Sequence, residues 1–183
     1  YYRNTSLGYS PEWVALAKRS IASIMPRFNM QRMLTDYAEK FYSPAAEQWR
    51  RYAGDGFSAA RLVAEWKGRI RNAWPRIAMR RIDRTVPRIR YGETLRFEVA
   101  VQLDGLTPKD LTVEMVFTRP GEPTSARARR YVLHHERPLE NGEHLFAREL
   151  TPDQCGKMEY RFRVFPSHDL LTHPFEMGMM LWL

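Results

Sequence analysis

The spacing of apolar residues along the 183-residue chain changes at Trp74-Pro75. Before this point, apolar residues recur every three or four positions, which is the period of an amphipathic helix. After it, they recur at every second position, as in a strand with one buried face. The pattern therefore predicts an α+β chain with two domains, a helical segment over residues 1–75 and an antiparallel sheet over residues 76–183.

Capping signals divide the helical segment into about four helices. A residue that can cap a helix precedes each predicted start, at Ser10, Asn29, Ser43 and Ser58. The helical stripes are rich in bulky aromatic residues, which at this spacing usually belong to a core or a docking surface. A small bundle buries only a limited core, so we expect part of this surface to pack on the sheet or on protein outside this chain. The aromatic residues in question are Trp13, Tyr37, Phe41, Trp49, Trp66 and Trp74.

About seven short strands are predicted after the change of pattern. The clearest covers residues 95–103, where apolar and polar residues alternate, and Asn141-Gly142 is a strong turn signal. Asp153, Gly156 and Tyr160 have the spacing of a tyrosine corner, in which a tyrosine near the start of a strand bonds back to the preceding connection. Together these features predict an immunoglobulin-like β-sandwich.

The net charge of +8 lies mostly in the helical segment, which carries 12 Lys and Arg against 6 Asp and Glu. The densest basic group runs from Lys67 to Arg84, and a solvated helix face that continues into an exposed linker explains it. No nucleic-acid-binding motif accompanies the charge. No apolar run approaches the roughly 20 residues that cross a bilayer. We therefore expect neither nucleic acid nor a membrane as a partner.

No catalytic or metal-binding pattern is present in either segment. Cys155 is the only cysteine, which excludes an internal disulfide and fits a reduced thiol in the cytoplasm. His134 and His135 are adjacent and would face opposite sides of a strand, and His168 and His173 lack the spacing of helical zinc ligands. Gly-rich phosphate loops, G-x-S-x-G and a suitable carboxylate pair are also missing. From the residues alone, we expect no metal site and no catalytic residue.

Two stretches of the sequence are more distinctive than the features above. The first reads PRFNMQRMLTDY over residues 26–37 and FYSPA over residues 41–45. The second reads RVFP over residues 163–166 and HPFEMG over residues 173–178, and ends in Leu181-Trp182. Together with Trp13, Lys18 and Trp66-Lys67, these stretches resemble the carboxyl-terminal region of bacterial α-glucan phosphorylases, which act on glycogen or maltodextrin and carry an extra β domain after the catalytic core. The resemblance covers essentially the whole chain.

The resemblance implies that the parent protein transfers glucosyl units from an α-1,4-glucan to phosphate and releases glucose 1-phosphate. It also implies a pyridoxal phosphate bound to a lysine in a Gly/Ser/Thr-rich motif. That motif is absent from this sequence, so we assign no catalytic or cofactor-binding residue and expect no cofactor in this chain. Residues 1–75 would complete the Rossmann-like core, whose remainder is the implied partner, and exposed aromatic stripes are then expected. Residues 76–183 would form an accessory domain.

The role of this accessory domain stays open among glucan binding, a contact in a homo-oligomer and covering of the core. Sugar binding requires solvent-facing aromatic rings beside polar groups. Four residues of the β segment are candidates, and each also has an interpretation as a core residue. They are Tyr91, Tyr131, Phe165 and Trp182. The alternative is a free-standing carbohydrate-binding or scaffold module with no link to phosphorolysis.

Overall fold

The computed structural model describes residues 8–84, 88–120, 128–153 and 155–183. The chain divides after Ala53 into two compact units, residues 1–53 and 54–183. Helices make up the first unit, and the second contains one long helix and a β-sheet. Compact units are defined by contacts, whereas the predicted domain boundary separates helical from strand segments. The boundary between residues 75 and 76 therefore stays a prediction.

Two of the predicted caps begin helices in the first unit. Helix α1 spans Pro11–Ile24, and the Ser10 hydroxyl accepts a hydrogen bond from an amide of its first turn. Helix α2 spans Met30–Tyr37, and the Asn29 side chain accepts from an amide of that helix at 2.8 Å. Each side chain satisfies a backbone donor that the first turn leaves without an intrahelical partner.

Ser43 does not begin a separate helix, contrary to the prediction. A π-helical turn over Ala38–Tyr42 joins α2 directly to α3, which spans Ser43–Ala53. Proline lacks the amide that an α-helical turn would use, and the wider π turn accommodates Pro44 within a continuous helix.

A 3₁₀ turn over Gly54–Phe57 interrupts the right-handed helix, since left-handed backbone angles occur at Asp55 (φ 47°) and Gly56 (φ 59°). Helix α4 follows over Ser58–Ala73. In the described residues, about two helices are counted and not the four that were predicted, and the continuous run of α2, the π turn and α3 over Met30–Ala53 is one reason.

The described part of the second unit forms seven antiparallel strands in the order β1-β2-β5-β4-β3-β6-β7. The strands are β1 (Ala78–Arg81), β2 (Leu95–Gln102), β3 (Leu111–Thr118), β4 (Arg129–Pro138), β5 (Glu143–Leu150), β6 (Glu159–Pro166) and β7 (Leu181–Trp182). Strand β4 pairs with β3 through its first half, as in Leu133 opposite Val113, and with β5 through its second half, as in His134 opposite Ala147. Strand β4 thus joins both halves of the sheet, which is nearly barrel-shaped.

The predicted turn at Asn141-Gly142 connects β4 to β5. Both residues have positive φ, 59° and 77°, as a tight hairpin turn requires. The alternation predicted for residues 95–103 holds for one face, since Phe97, Val99 and Val101 are almost completely buried, but Ala100 on the other face is buried as well. Turn chemistry and strand period together therefore set the register of the central strands.

We call the second unit the sheet unit. Within it, helix α4 packs through an apolar stripe of buried residues, Val63, Trp66, Ile70 and Ala73. A buried hydrogen bond accompanies this packing, because the Trp66 indole Nε1 donates to Asp110 Oδ1 at 2.7 Å. Asp110 lies in the 3₁₀ turn that precedes β3. The contact therefore connects the helix to the sheet at a defined position.

The carboxylate of Asp110 is held in its ionised form. Burial raises its pKa, but hydrogen bonds from the Thr107 amide and hydroxyl and from the Trp66 indole, together with the charge of Arg69, outweigh burial and lower the pKa of Asp110 below its ordinary value. A group whose pKa is lowered by folding stabilises the fold above its unfolded pKa, and that contribution disappears as the pH falls through the folded pKa.

The substitution Trp66→Phe keeps an aromatic ring but removes the indole donor. We expect the free energy of unfolding to fall by about 1–3 kcal/mol at pH 7, because Asp110 loses a buried hydrogen bond. In urea unfolding, the difference from the wild type should narrow as the pH falls below the ordinary pKa of an aspartate and through the lowered pKa of Asp110 in the folded protein. Trp49→Phe, at an exposed indole, is the matched control and should have little effect. If Trp66→Phe lowers the free energy of unfolding equally at every pH, the role of the Asp110 carboxylate is contradicted.

Candidate functional site

Two of the four predicted sugar-binding residues, Tyr91 and Tyr131, line the same cavity at one end of the sheet. This aromatic cavity has a volume of about 420 Å³. It is enclosed by the starts of β2, β4 and β6, the ends of β3 and β5, and residues of the connections before β2 and β6. Both tyrosines are therefore brought together by strand pairing, although they lie far apart in the sequence.

Aromatic side chains form the floor of the aromatic cavity. Phe97 and Phe117 are buried, and the Tyr160 ring meets them at centroid distances of 5.2 and 5.4 Å. The Tyr131 ring stands edge-on to Phe117 at 5.6 Å. Tyr91 differs from these residues because 79% of its surface is exposed. The cavity thus combines a fixed apolar floor with one solvent-facing ring.

Charged groups form the rim of the aromatic cavity. The Arg129 Nη1 donates to Asp153 Oδ1 at 2.5 Å, and this hydrogen bond lowers the pKa of Asp153 below its ordinary value. Both side chains are largely exposed, so the ion pair itself adds little to stability. Arg88 and Lys157 also line the cavity. Sequence inspection singled out Asp153 only as part of a tyrosine corner, and the sequence contains no signal for the pairing of Arg129 with Asp153.

Phe165 and Trp182 lie elsewhere, around the buried guanidinium of Arg163. The Arg163 Nε donates to Glu114 Oε2 at 2.9 Å, and the guanidinium carbon lies 5.4 Å from the Phe165 ring centre and 5.3 Å from that of Trp182. Phe175 contacts the same guanidinium at 4.9 Å. Phe165 is only 4% exposed, which corresponds to its interpretation as a core residue. The four candidates therefore do not form one site.

A second cavity, of about 600 Å³, lies beside α4. Its wall contains Trp66, which is buried and lies against His168 in a tilted arrangement at a centroid distance of 4.9 Å. Charged residues of both signs, among them Arg69 and Asp169, complete the lining. This cavity therefore offers polar groups but no exposed aromatic ring.

The first unit presents a different candidate surface. Helices α1, α2 and α3 contain no buried residue, so they have no core of their own. We call their exposed large apolar residues the apolar helical face. Its main members are Trp13, Ile21, Ile24, Phe28, Met30, Leu34, Tyr37, Phe41 and Trp49. The expectation of exposed aromatic stripes is confirmed.

The family model of the glycogen phosphorylase C-terminal domain matches residues 74–183, starting where the apolar pattern changes. The chain belongs to this family. It is 33% identical over 187 residues to the maltodextrin phosphorylase of Thermococcus litoralis. This alignment covers 100% of the chain and 21% of that relative. It is 30% identical over 190 residues to the glycogen phosphorylase of Mycobacterium tuberculosis strain H37Rv. This alignment covers 98% of the chain and 21% of that relative. The chain thus spans about a fifth of the length of these curated relatives.

In this glycogen phosphorylase C-terminal domain, two histidines meet across β4 and β5. His135 Nε2 and His144 Nδ1 lie 3.0 Å apart, and burial, together with the charge of His135, lowers the pKa of His144. No sequence pattern pointed to the pairing of these two histidines. In the described part of the chain, no group of three or more His, Cys, Asp or Glu side chains could hold a metal ion. No described helix is long and apolar enough to cross a membrane.

Trp182 and Tyr91 should respond differently to truncation. We expect Trp182→Ala to lower the free energy of unfolding by about 1–2 kcal/mol, because the indole covers the guanidinium of the buried Arg163. Tyr91→Ala should change it by less than about 0.5 kcal/mol, because most of that ring is in solvent. Urea unfolding of both variants measures the difference. Equal losses would show that Trp182 has no special structural role.

Proposed function

We propose that this chain is the non-catalytic carboxyl-terminal portion of an α-glucan phosphorylase-type glucosyltransferase. The names of the relatives and the fraction of their length that the chain matches support this proposal. The parent protein would transfer glucosyl units from an α-1,4-glucan to phosphate and form glucose 1-phosphate in the cytoplasm. A homo-oligomer is a further proposal for the parent.

The apolar helical face carries this proposal. Large apolar residues are exposed on all three helices of this unit, and helices without a buried residue gain little stability from packing. Ion pairs such as Arg32 with Asp36 and Lys40 with Asp36 occupy another part of the same helices. Such an amphipathic pattern is typical of helices that pack against a core. We infer that this core is the Rossmann-like catalytic region of the same phosphorylase chain.

Pyridoxal phosphate would belong to that catalytic region. When bound, its phosphate group supplies acid/base chemistry to phosphorolysis. The residues of this chain do not fit the cofactor. Lys67, for example, is a half-buried lysine, but it forms an ion pair with Glu176. We therefore assign no cofactor-binding residue here, and the chain's contribution is to pack against the core.

We also propose that the sheet is of the immunoglobulin-like type. The strand orders β1-β2-β5-β4 and β3-β6-β7 support this, since they correspond to the A-B-E-D and C-F-G orders of immunoglobulin constant domains. The tyrosine corner stays a prediction, and Gly156, with φ 109°, supplies the backbone freedom of a glycine before β6. The accessory domain would start at residue 76, two residues after the start of the family match.

The alternative, a free-standing carbohydrate-binding or scaffold module, draws support from the aromatic cavity. The two proposals differ in what they require of the apolar helical face. A phosphorylase needs this surface to be covered by its own catalytic region, whereas a free-standing module needs another partner for it.

The native protein, purified from its source, should be much larger than 21.6 kDa and should absorb in the pyridoxal region. Intact mass spectrometry and an absorbance spectrum measure both properties. A native mass close to that of this chain, without a pyridoxal spectrum, would overturn the phosphorylase proposal in favour of the free-standing module.

Phe41→Asp should disrupt the parent protein and spare the isolated chain. Phe41 is 58% exposed, so a charge at this position costs this chain little, but it would be buried without a partner in a docked complex. In the full-length protein we expect a large loss of phosphorolysis and a Tm lower by several degrees. Gln31→Asp adds the same charge outside the apolar helical face and serves as the control. Normal activity of the Phe41→Asp protein would contradict docking through this face.

A further inference from the structure

We propose that the aromatic cavity binds an oligomer of α-1,4-linked glucose, as a glucan site formed entirely by the sheet unit. The inference deepens the proposed function, on which it rests for the identity of the glucan. It assigns a ligand to Tyr91 and Tyr131, which the fold brings together, and leaves out Phe165 and Trp182, which the fold uses around Arg163.

The apolar part of the cavity suits the faces of pyranose rings. A sugar ring presents C–H groups on its faces and hydroxyls around its edge, so it stacks on an aromatic ring while its edge remains hydrated. Tyr91 offers an exposed ring at the rim, and Tyr131 is fixed in place by Phe117 on one side and by Arg148, whose guanidinium carbon lies 5.4 Å from the ring centre. A pre-positioned ring loses little entropy on binding.

The rim suits the edges of the same rings. Arg129 supplies several N–H donors and Asp153 supplies acceptors, as neighbouring hydroxyls of a sugar require. Because their ion pair is exposed, exchanging part of it for hydrogen bonds to sugar hydroxyls costs little. The volume of about 420 Å³ lies within the range of small-molecule sites.

The other cavity is less suitable for a glucan. Its only aromatic ring from α4, that of Trp66, is 2% exposed and donates to Asp110, so it has no free face for stacking. A simple anion is the main competitor for the aromatic cavity, because Arg88, Arg90 and Lys157 are basic. An anion would bind through charge and would not need Tyr91. The two ligands therefore differ in their dependence on salt and on this ring.

Isothermal titration of the 183-residue chain with maltoheptaose tests the inference. We expect saturable binding that changes little between low and high salt, with Tyr91→Ala weakening it about tenfold and Tyr91→Phe preserving most of it, since the phenyl ring keeps the stacking surface. Tyr42→Ala removes a similarly exposed tyrosine outside the cavity and should leave binding unchanged. Cellohexaose, with β-1,4 links, should bind more weakly than maltoheptaose.

Three results would overturn the inference: no binding of maltoheptaose, equal binding by wild type and Tyr91→Ala, or binding that is lost at high salt, which would indicate an anion site. A parallel assay distinguishes failure of the glucan site from failure of the proposed function. In the full-length protein, Tyr91→Ala should raise the KM for glycogen several-fold and leave kcat unchanged. If the wild type has no phosphorolysis activity, the proposed function fails while the titration still decides the glucan site. If activity is normal and Tyr91→Ala changes no KM, the glucan site alone fails.

Discussion

The two units of this chain differ in whether they bury their own apolar surface. The sheet unit satisfies the requirement internally: Phe97, Val99 and Val101 are buried, and α4 adds Trp66 to the same unit. The helices before residue 54 have equally apolar stripes but bury none of them. Since burial of apolar surface is the main favourable term in folding, the first unit depends on a partner in a way that the second does not.

Buried polar groups explain which aromatic residues are structural. Arg163 is buried with Glu114 as its ion-pair partner, and aromatic rings cover the guanidinium. Asp110 is buried with hydrogen bonds from Thr107 and Trp66. Burying either charge without partners would destabilise the fold by roughly several kcal/mol. The side chains that contact Arg163 and Asp110 are therefore constrained to stay in place. Phe165 is 4% exposed and leaves little surface for a ligand, whereas Tyr91 is 79% exposed.

A division of roles follows for a phosphorylase that contains this region. In the proposed arrangement, the helical unit would attach to the catalytic region, while the sheet unit folds around its own core and presents the aromatic cavity. A glucan held in that cavity would raise the local concentration of polymer ends near the active site without any change in the catalytic machinery. The cavity and the apolar helical face belong to different units of the chain.

The sequence by itself determined the change from helical to strand period at Trp74-Pro75, two helix caps, the hairpin turn at Asn141-Gly142 and the family, because each depends on local spacing or on a short motif. Only the tertiary structure decided that Ser43 lies inside a continuous helix and that Tyr91 and Tyr131 share a cavity from which Phe165 and Trp182 are absent. The physical reason is that strand pairing joins residues distant in the chain, and no local pattern records which side chains then meet.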